Sequence, residues 1–134
     1  MIDDETSIGK SWKFGFEEMS PHLTFRHFEK GEDAVVELRR RLDAADTLPI
    51  GIIVDGNLKK DQGFFSEGPN VVSTIHVLTE AQKIKPLIIA HSSQEDKNKL
   101  MLAVGADIEI EKGGGVKDMQ KVIRSIEEHS EKTP

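Results

Sequence analysis

Acidic residues stand near the start of the chain, at Asp3, Asp4 and Glu5, and a further carboxylate, Asp55, follows the apolar run Ile50-Gly51-Ile52-Ile53-Val54. A second apolar run, Leu87-Ile88-Ile89-Ala90, leads into His91-Ser92-Ser93, and a third segment, Ala106 to Glu111, leads into Lys112. Carboxylates held close together repel, and a hard divalent cation such as Mg2+ relieves that repulsion. A carboxylate beside such a cation can act as a nucleophile toward phosphorus. An ammonium and a hydroxyl can then stabilise the charge on the phosphoryl oxygens. No one of these residues is specific. The ordered set is, provided the fold brings its members to one place.

The elements between them predict that it does. Ile50 to Val54 and Leu87 to Ala90 are continuous apolar runs of strand length, rich in β-branched residues, as expected of parallel strands covered on both faces. Ala106 to Glu111 alternates, with Ile108 and Ile110 on one side and Asp107, Glu109 and Glu111 on the other, the pattern of an edge strand with one wet face. A weaker strand is expected around Leu23 to Phe28. Helical spacing predicts helices over Ser7 to Met19, Glu32 to Ala45, Val71 to Lys83, Gln94 to Val104 and Val116 to Glu128. The fourth is capped by Ser92 or Ser93 and closed by Gly105. Alternating helices and strands argue for an α/β fold, a doubly wound parallel sheet. In such sheets chemistry gathers at the carboxyl ends of the central strands, where Asp55, His91-Ser92-Ser93 and Lys112 fall.

The remaining composition narrows the class. A chain of 134 residues is one domain, large enough to bury a core. It has no cysteine, hence neither disulfides nor thiolate metal sites. A net charge of −6 disfavours binding to a phosphate backbone. No apolar run reaches membrane-spanning length and the first residues are acidic, so the expectation is a soluble, cytoplasmic protein. Residues 130–134 form a polar tail expected to fray. Gly9-Lys10-Ser11 is not a P-loop, because Asp4 occupies the position of the required earlier glycine. The five histidines show no metal-binding spacing, and Arg39-Arg40-Arg41 reads as a solvated helix face.

In this order the motifs resemble those of a response-regulator receiver domain. Ile2-Asp3-Asp4-Glu5 resembles the family's opening acidic motif, Ile52-Ile53-Val54-Asp55-Gly56-Asn57 its phospho-acceptor strand, and Pro86 to Ser93 the strand that ends in a switch hydroxyl. Gly105-Ala106-Asp107 followed by Lys112 resembles its last motif. The resemblance spans nearly the whole chain, residues 1–129. It implies a flavodoxin-like, five-stranded parallel sheet in the order 2-1-3-4-5. It also implies phosphoryl transfer from a histidine kinase or phosphotransfer protein to Asp55 in a two-component pathway, and a domain that signals by changed protein–protein contacts rather than turning over a substrate. By the same implication Asp3, Asp4, Asp55 and the backbone carbonyl of Asn57 hold Mg2+, while Lys112 and Ser92 contact the phosphoryl group.

The sequence departs from the family in several places. Only Met1 and Ile2 precede the acidic pair, so the first strand is expected to be truncated, and a homodimer that supplies a strand is one way to complete it. Counting from Pro86 puts His91 at the switch position, whereas chemistry favours Ser92. Glu109 stands where an aromatic switch residue is usual, and Gly113 where proline is usual. Phe64 and Phe65 lie in a long loop after Asp55, either as a docking surface or packed beneath it. Each site residue also has a plainer role: Asp3 and Asp4 as acids at a helix start, Ser92 as a cap, Lys112 as a solvated lysine. The alternative function is a degenerate receiver that binds partners without phosphate.

Overall fold

The computed structural model describes residues 1–132. Five helices, α1 (Thr6–Met19), α2 (Gly31–Asp43), α3 (Gly68–Thr79), α4 (Glu95–Ala103) and α5 (Val116–Lys132), surround three parallel strands, β1 (Gly51–Val54), β2 (Leu87–Ala90) and β3 (Ile108–Glu109), in the order β1-β2-β3. β1 and β2 pair from Gly51↔Leu87 to Val54↔Ala90, and β2 meets β3 at Ile89↔Ile108. Two parallel bridges widen the sheet beyond β1, joining Ile2 to Val54 on one side and to Phe28 on the other. Across the sheet the order is therefore Phe28, Ile2, β1, β2, β3, the 2-1-3-4-5 arrangement with its first two strands reduced to single bridges. The first strand is truncated as expected. The strand expected over Leu23 to Phe28 shrinks with it, because a strand can pair only along the length of its neighbour.

Alternate residues of the strands enter opposite cores. Ile52, Val54, Ile88 and Ala90 pack with Val35 and Leu38 of α2, Val71, Val72 and Ile75 of α3, and Met101 of α4. Ile53, Leu87, Ile89 and Ile110 pack on the other face with Trp12 and Phe16 of α1 and with Met119, Val122, Ile123 and Ile126 of α5. Burying each of these large side chains contributes roughly 1.5–3 kcal/mol. Two cores on two faces explain why β1 and β2 read as unbroken apolar runs.

The edge strand is shorter than its alternation suggests. Asp107 holds β2 both through its backbone N–H to Ile88 O at 2.8 Å and through its carboxylate, which accepts from Ile88 N at 2.8 Å. That side-chain contact displaces regular pairing at the strand's entry. α3 begins earlier than predicted, at Gly68, because Pro69 suits the first helical turn, where a missing N–H is harmless. α5 runs on to Lys132, so Ser130, Glu131 and Lys132 of the expected polar tail are helical. Thr133 and Pro134 lie outside the described residues. An apolar cavity of about 510 Å³ sits away from the strands' carboxyl ends, lined among others by Leu23, Phe25, Leu38, Leu48 and Ile50.

α2 starts without a side-chain cap from its own N-cap residue, Lys30. Its first amide is instead met from the loop after β1, where the buried carboxylate of Asp61 accepts from Gly31 N. Asp61→Ala leaves that amide unpaired, and the expected loss is roughly 1–2 kcal/mol in urea denaturation.

Candidate acidic phosphoryl and metal site

The site forms where the sheet's first residues meet the end of β1. Ile2 donates to Ile53 O at 2.7 Å and accepts from Asp55 N at 2.9 Å, while Asp3 N donates to Phe28 O at 3.0 Å. These bonds fix Asp3 beside Asp55. One carboxylate oxygen from each of Asp3, Asp4 and Asp55 lies within 4.8 Å of the other two. Each carboxylate is oriented by a backbone amide: Asp3 Oδ1 accepts from Glu5 N at 2.9 Å, Asp4 Oδ2 from Lys59 N at 2.8 Å and Asp55 Oδ1 from Gly56 N at 2.8 Å. Lys112 Nζ reaches in from beyond β3, 2.8 Å from Asp3 Oδ2 and 3.2 Å from Asp55 Oδ2.

Charge and burial set the protonation of this cluster. Burial pushes the Asp55 carboxyl up to about 6; the Lys112 ammonium pulls it down, the Asp3 carboxylate pushes it further up, and the Gly56 amide lowers it. Burial disfavours the Lys112 ammonium, but its hydrogen bond to Asp3 and the charges of Asp55 and Asp3 outweigh that and hold it above the usual lysine range. Two of the three carboxylates, Asp3 and Asp55, thus share one ammonium. Asp3 Oδ2 is buried and, apart from its ion pair with Lys112, has no hydrogen-bond donor. Clustered hard oxygens with such an atom fit a hard divalent cation.

Two glycines let the backbone close around Asp55. A Cβ at Gly68 would lie 2.2 Å from Asp55 O, and one at Gly56 would lie 2.7 Å from Ser92 Oγ. Ser92 is therefore at the site's rim. Its backbone is clamped by buried Asn98, which accepts from Ser92 N at 3.0 Å and donates to Ser92 O at 2.9 Å, and Lys112 N donates to the same carbonyl at 3.1 Å. Ser92 Oγ accepts from Gln94 N at 3.1 Å. Neither Ser92 nor Ser93 caps α4 as expected: its N-cap residue is Gln94 and no side chain caps it, and accepting from the Gln94 amide leaves the Ser92 hydroxyl proton free to donate. His91 points elsewhere. Its ring lies 5.0 Å from that of Trp12, with Nε2 3.2 Å from Asp118 Oδ2. Asn57 lies two residues after Asp55 and forms an antiparallel bridge with Glu67. Glu109 forms an ion pair with Lys99 of α4. Phe65 packs against the α2–α3 core, as one of the two expected roles has it, while Phe64 is exposed.

Gly68, Asn98 and Asp118 escaped the sequence reading. Gly68-Pro69 carried a helix-start signal, whereas Asn98 and Asp118 look like ordinary polar positions of amphipathic helices.

No protein-family model and no curated protein matches this sequence. Solved structures do match. The phosphorylated cyanobacterial phytochrome response regulator RcpA superposes with a TM-score of 0.71 at 18% identity, over 99% of this chain and 92% of that one. The receiver domain of Francisella response regulator 1452 gives 0.68 at 16%, over 99% and 95%. The Mn2+-bound form of response regulator Rcp1 gives 0.66 at 16%, over 99% and 93%. The chain has the fold of response-regulator receiver domains.

Because the folded-state pKa of Asp55 lies above its unfolded value, the protonated form is favoured by folding. The corresponding stability is fully present below about pH 4 and is lost as pH rises through about 6. Asp55→Asn is therefore expected to raise the melting temperature at pH 7 by several degrees, on the order of 1–2 kcal/mol, and to leave it nearly unchanged at pH 4, as read by circular dichroism.

Proposed function

We propose that this domain accepts a phosphoryl group on Asp55 from a histidine kinase or phosphotransfer protein and signals through altered protein contacts. The observation that carries this reading is the convergence of three carboxylates and the Lys112 ammonium at the strand ends. In this reading a carboxylate oxygen of Asp55 attacks the donor phosphorus. The bond from phosphorus to the donor nitrogen breaks, leaving an acyl phosphate on Asp55. Lys112, already 3.2 Å from Asp55 Oδ2, turns its ammonium to a phosphoryl oxygen, and the free hydroxyl proton of Ser92 donates to another. Asp3, Asp4, Asp55 and the backbone carbonyl of Asn57 would hold Mg2+, which when bound neutralises charge on the transferring group. Asp55 must be ionised to attack, and a cation held beside it would favour that ionised form as Lys112 does.

Among the described residues no helix is long and apolar enough to cross a membrane. A cytoplasmic setting fits both that fact and a phosphorelay. The degenerate-receiver reading is favoured by one feature: Glu109, where the family carries an aromatic switch, is tied to α4 by Lys99. A homodimer belongs to either reading and would be seen as a change of mass in solution.

Intact-mass spectrometry with Mg2+ and acetyl phosphate separates the two. Under the proposed function the native chain gains one phosphoryl group, Asp55→Asn gains none, and Lys112→Met gains it about 100-fold more slowly. A folded native chain that gains none favours the phosphate-independent module instead.

A further inference from the structure

Lys112 is followed by Gly113-Gly114-Gly115, the most permissive backbone in the chain. Gly113 and Gly115 have φ of 121° and 57°, and a Cβ at either position would touch nothing. Three glycines lose much conformational freedom on folding, and they have no side chains whose packing could hold them. Yet the Lys112 ammonium meets both Asp3 and Asp55 within 3.2 Å.

Lys117 N and Met119 N donate to the carbonyls of Gly114 and Gly115 at 3.2 Å each, and a single carboxylate oxygen ties the loop's amides. Oδ2 of Asp118, on the first turn of α5, accepts from Gly113 N at 3.2 Å and from Gly114 N at 3.1 Å. His91 Nε2 lies 3.2 Å from the same atom. Asp118 and His91 are 4% and 2% exposed, so neither pairs with water in place of the other. Burial lowers the His91 pKa against the opposing pull of Asp118, which leaves the ring neutral near pH 7. A neutral ring facing a carboxylate donates from Nε2, and the buried Nδ1 has no partner. His91 is itself fixed by its backbone bond to Val54 O at 2.9 Å and by its ring contact with Trp12. Oδ1 of Asp118 lies against Gly114, where a Cβ would come within 2.3 Å of it.

We propose that Asp118, oriented by His91, is a positioning residue: it pins the glycine loop on one side as Ser92 O pins Lys112 N on the other, and so aims the Lys112 ammonium between Asp3 and Asp55. Its effect on phosphoryl transfer rests on the function proposed above; its effect on Lys112 does not. The test is the 15N–1H signal of the Lys112 side-chain ammonium, assigned by its absence in Lys112→Met. The signal is expected to be sharp in the native chain, lost by exchange in Asp118→Ala, and restored in Asp118→Asn, which keeps an acceptor oxygen for the glycine amides. Gly114→Ala displaces the carboxylate without removing it and is expected to lose the signal as well, so the test survives if Asp118→Ala does not fold. Acetyl phosphate labelling is expected to slow by roughly 10- to 100-fold in Asp118→Ala and to recover in Asp118→Asn. A folded Asp118→Ala or Gly114→Ala that retains the native Lys112 signal overturns the proposal. If the native chain takes no phosphoryl group, the function above fails while the Lys112 signal still decides this inference.

Discussion

The Lys112 ammonium is the charge on which the strand-end cluster depends. Three carboxylates within 4.8 Å of one another repel by roughly 3–4 kcal/mol per pair at an effective dielectric of about 20. One ammonium at 2.8 Å and 3.2 Å returns roughly 5–6 kcal/mol from each of its two contacts. The two sums are comparable, so nothing is left over to offset the desolvation of Asp55, and its pKa rises. The cluster is thus held together but not neutralised. It is poised to accept positive charge, and the rest of the fold delivers its members to one point.

Delivery is a matter of strand ends. Asp55 follows β1, Ser92 lies just past β2 and Lys112 just past β3, and parallel strands put all three at the same end of the sheet. Asp3 arrives by a shorter route, through Ile2, whose bridges to Val54 and Phe28 are all that remains of the central strand. Gly56 and Gly68 then allow the loop after β1 and the start of α3 to close over Asp55 at distances no side chain would permit.

Much of this could be read from the sequence because burial on two faces leaves a plain mark. Ile52-Ile53-Val54 and Leu87 to Ala90 are apolar at every position since each face has its own core. The residue after such a run is at a strand end, which singled out Asp55 and the His91-Ser92 pair. What could not be read depended on pairing partners. The Leu23 to Phe28 segment has strand-like residues, but only Ile2 is there to pair with it. Asp107 shortens β3 by taking the Ile88 amide with its side chain, a contact no local pattern encodes. The choice between His91 and Ser92 turned on which face of β2 each side chain leaves from; the ring went to Trp12 and Asp118. Asp61 and Asp118 act on backbone amides brought to them by the fold, and along the chain they resemble any other surface acid.

The attachment of Asp3 also has a thermodynamic side. Its segment is joined to the sheet by a handful of backbone bonds at Met1, Ile2 and Asp3 where β1 and β2 share a full ladder, yet Ile2 is buried in one core and Met1 in the other. Opening free energies in a native protein follow such local differences. Lifting Met1 and Ile2 away would open apolar surface in both cores at once, so the acidic cluster comes apart only together with part of the packing beneath it. Assembly of the site is then coupled to the packing of both faces, and anything that binds across Asp3 and Asp55 stabilises the folded domain with it.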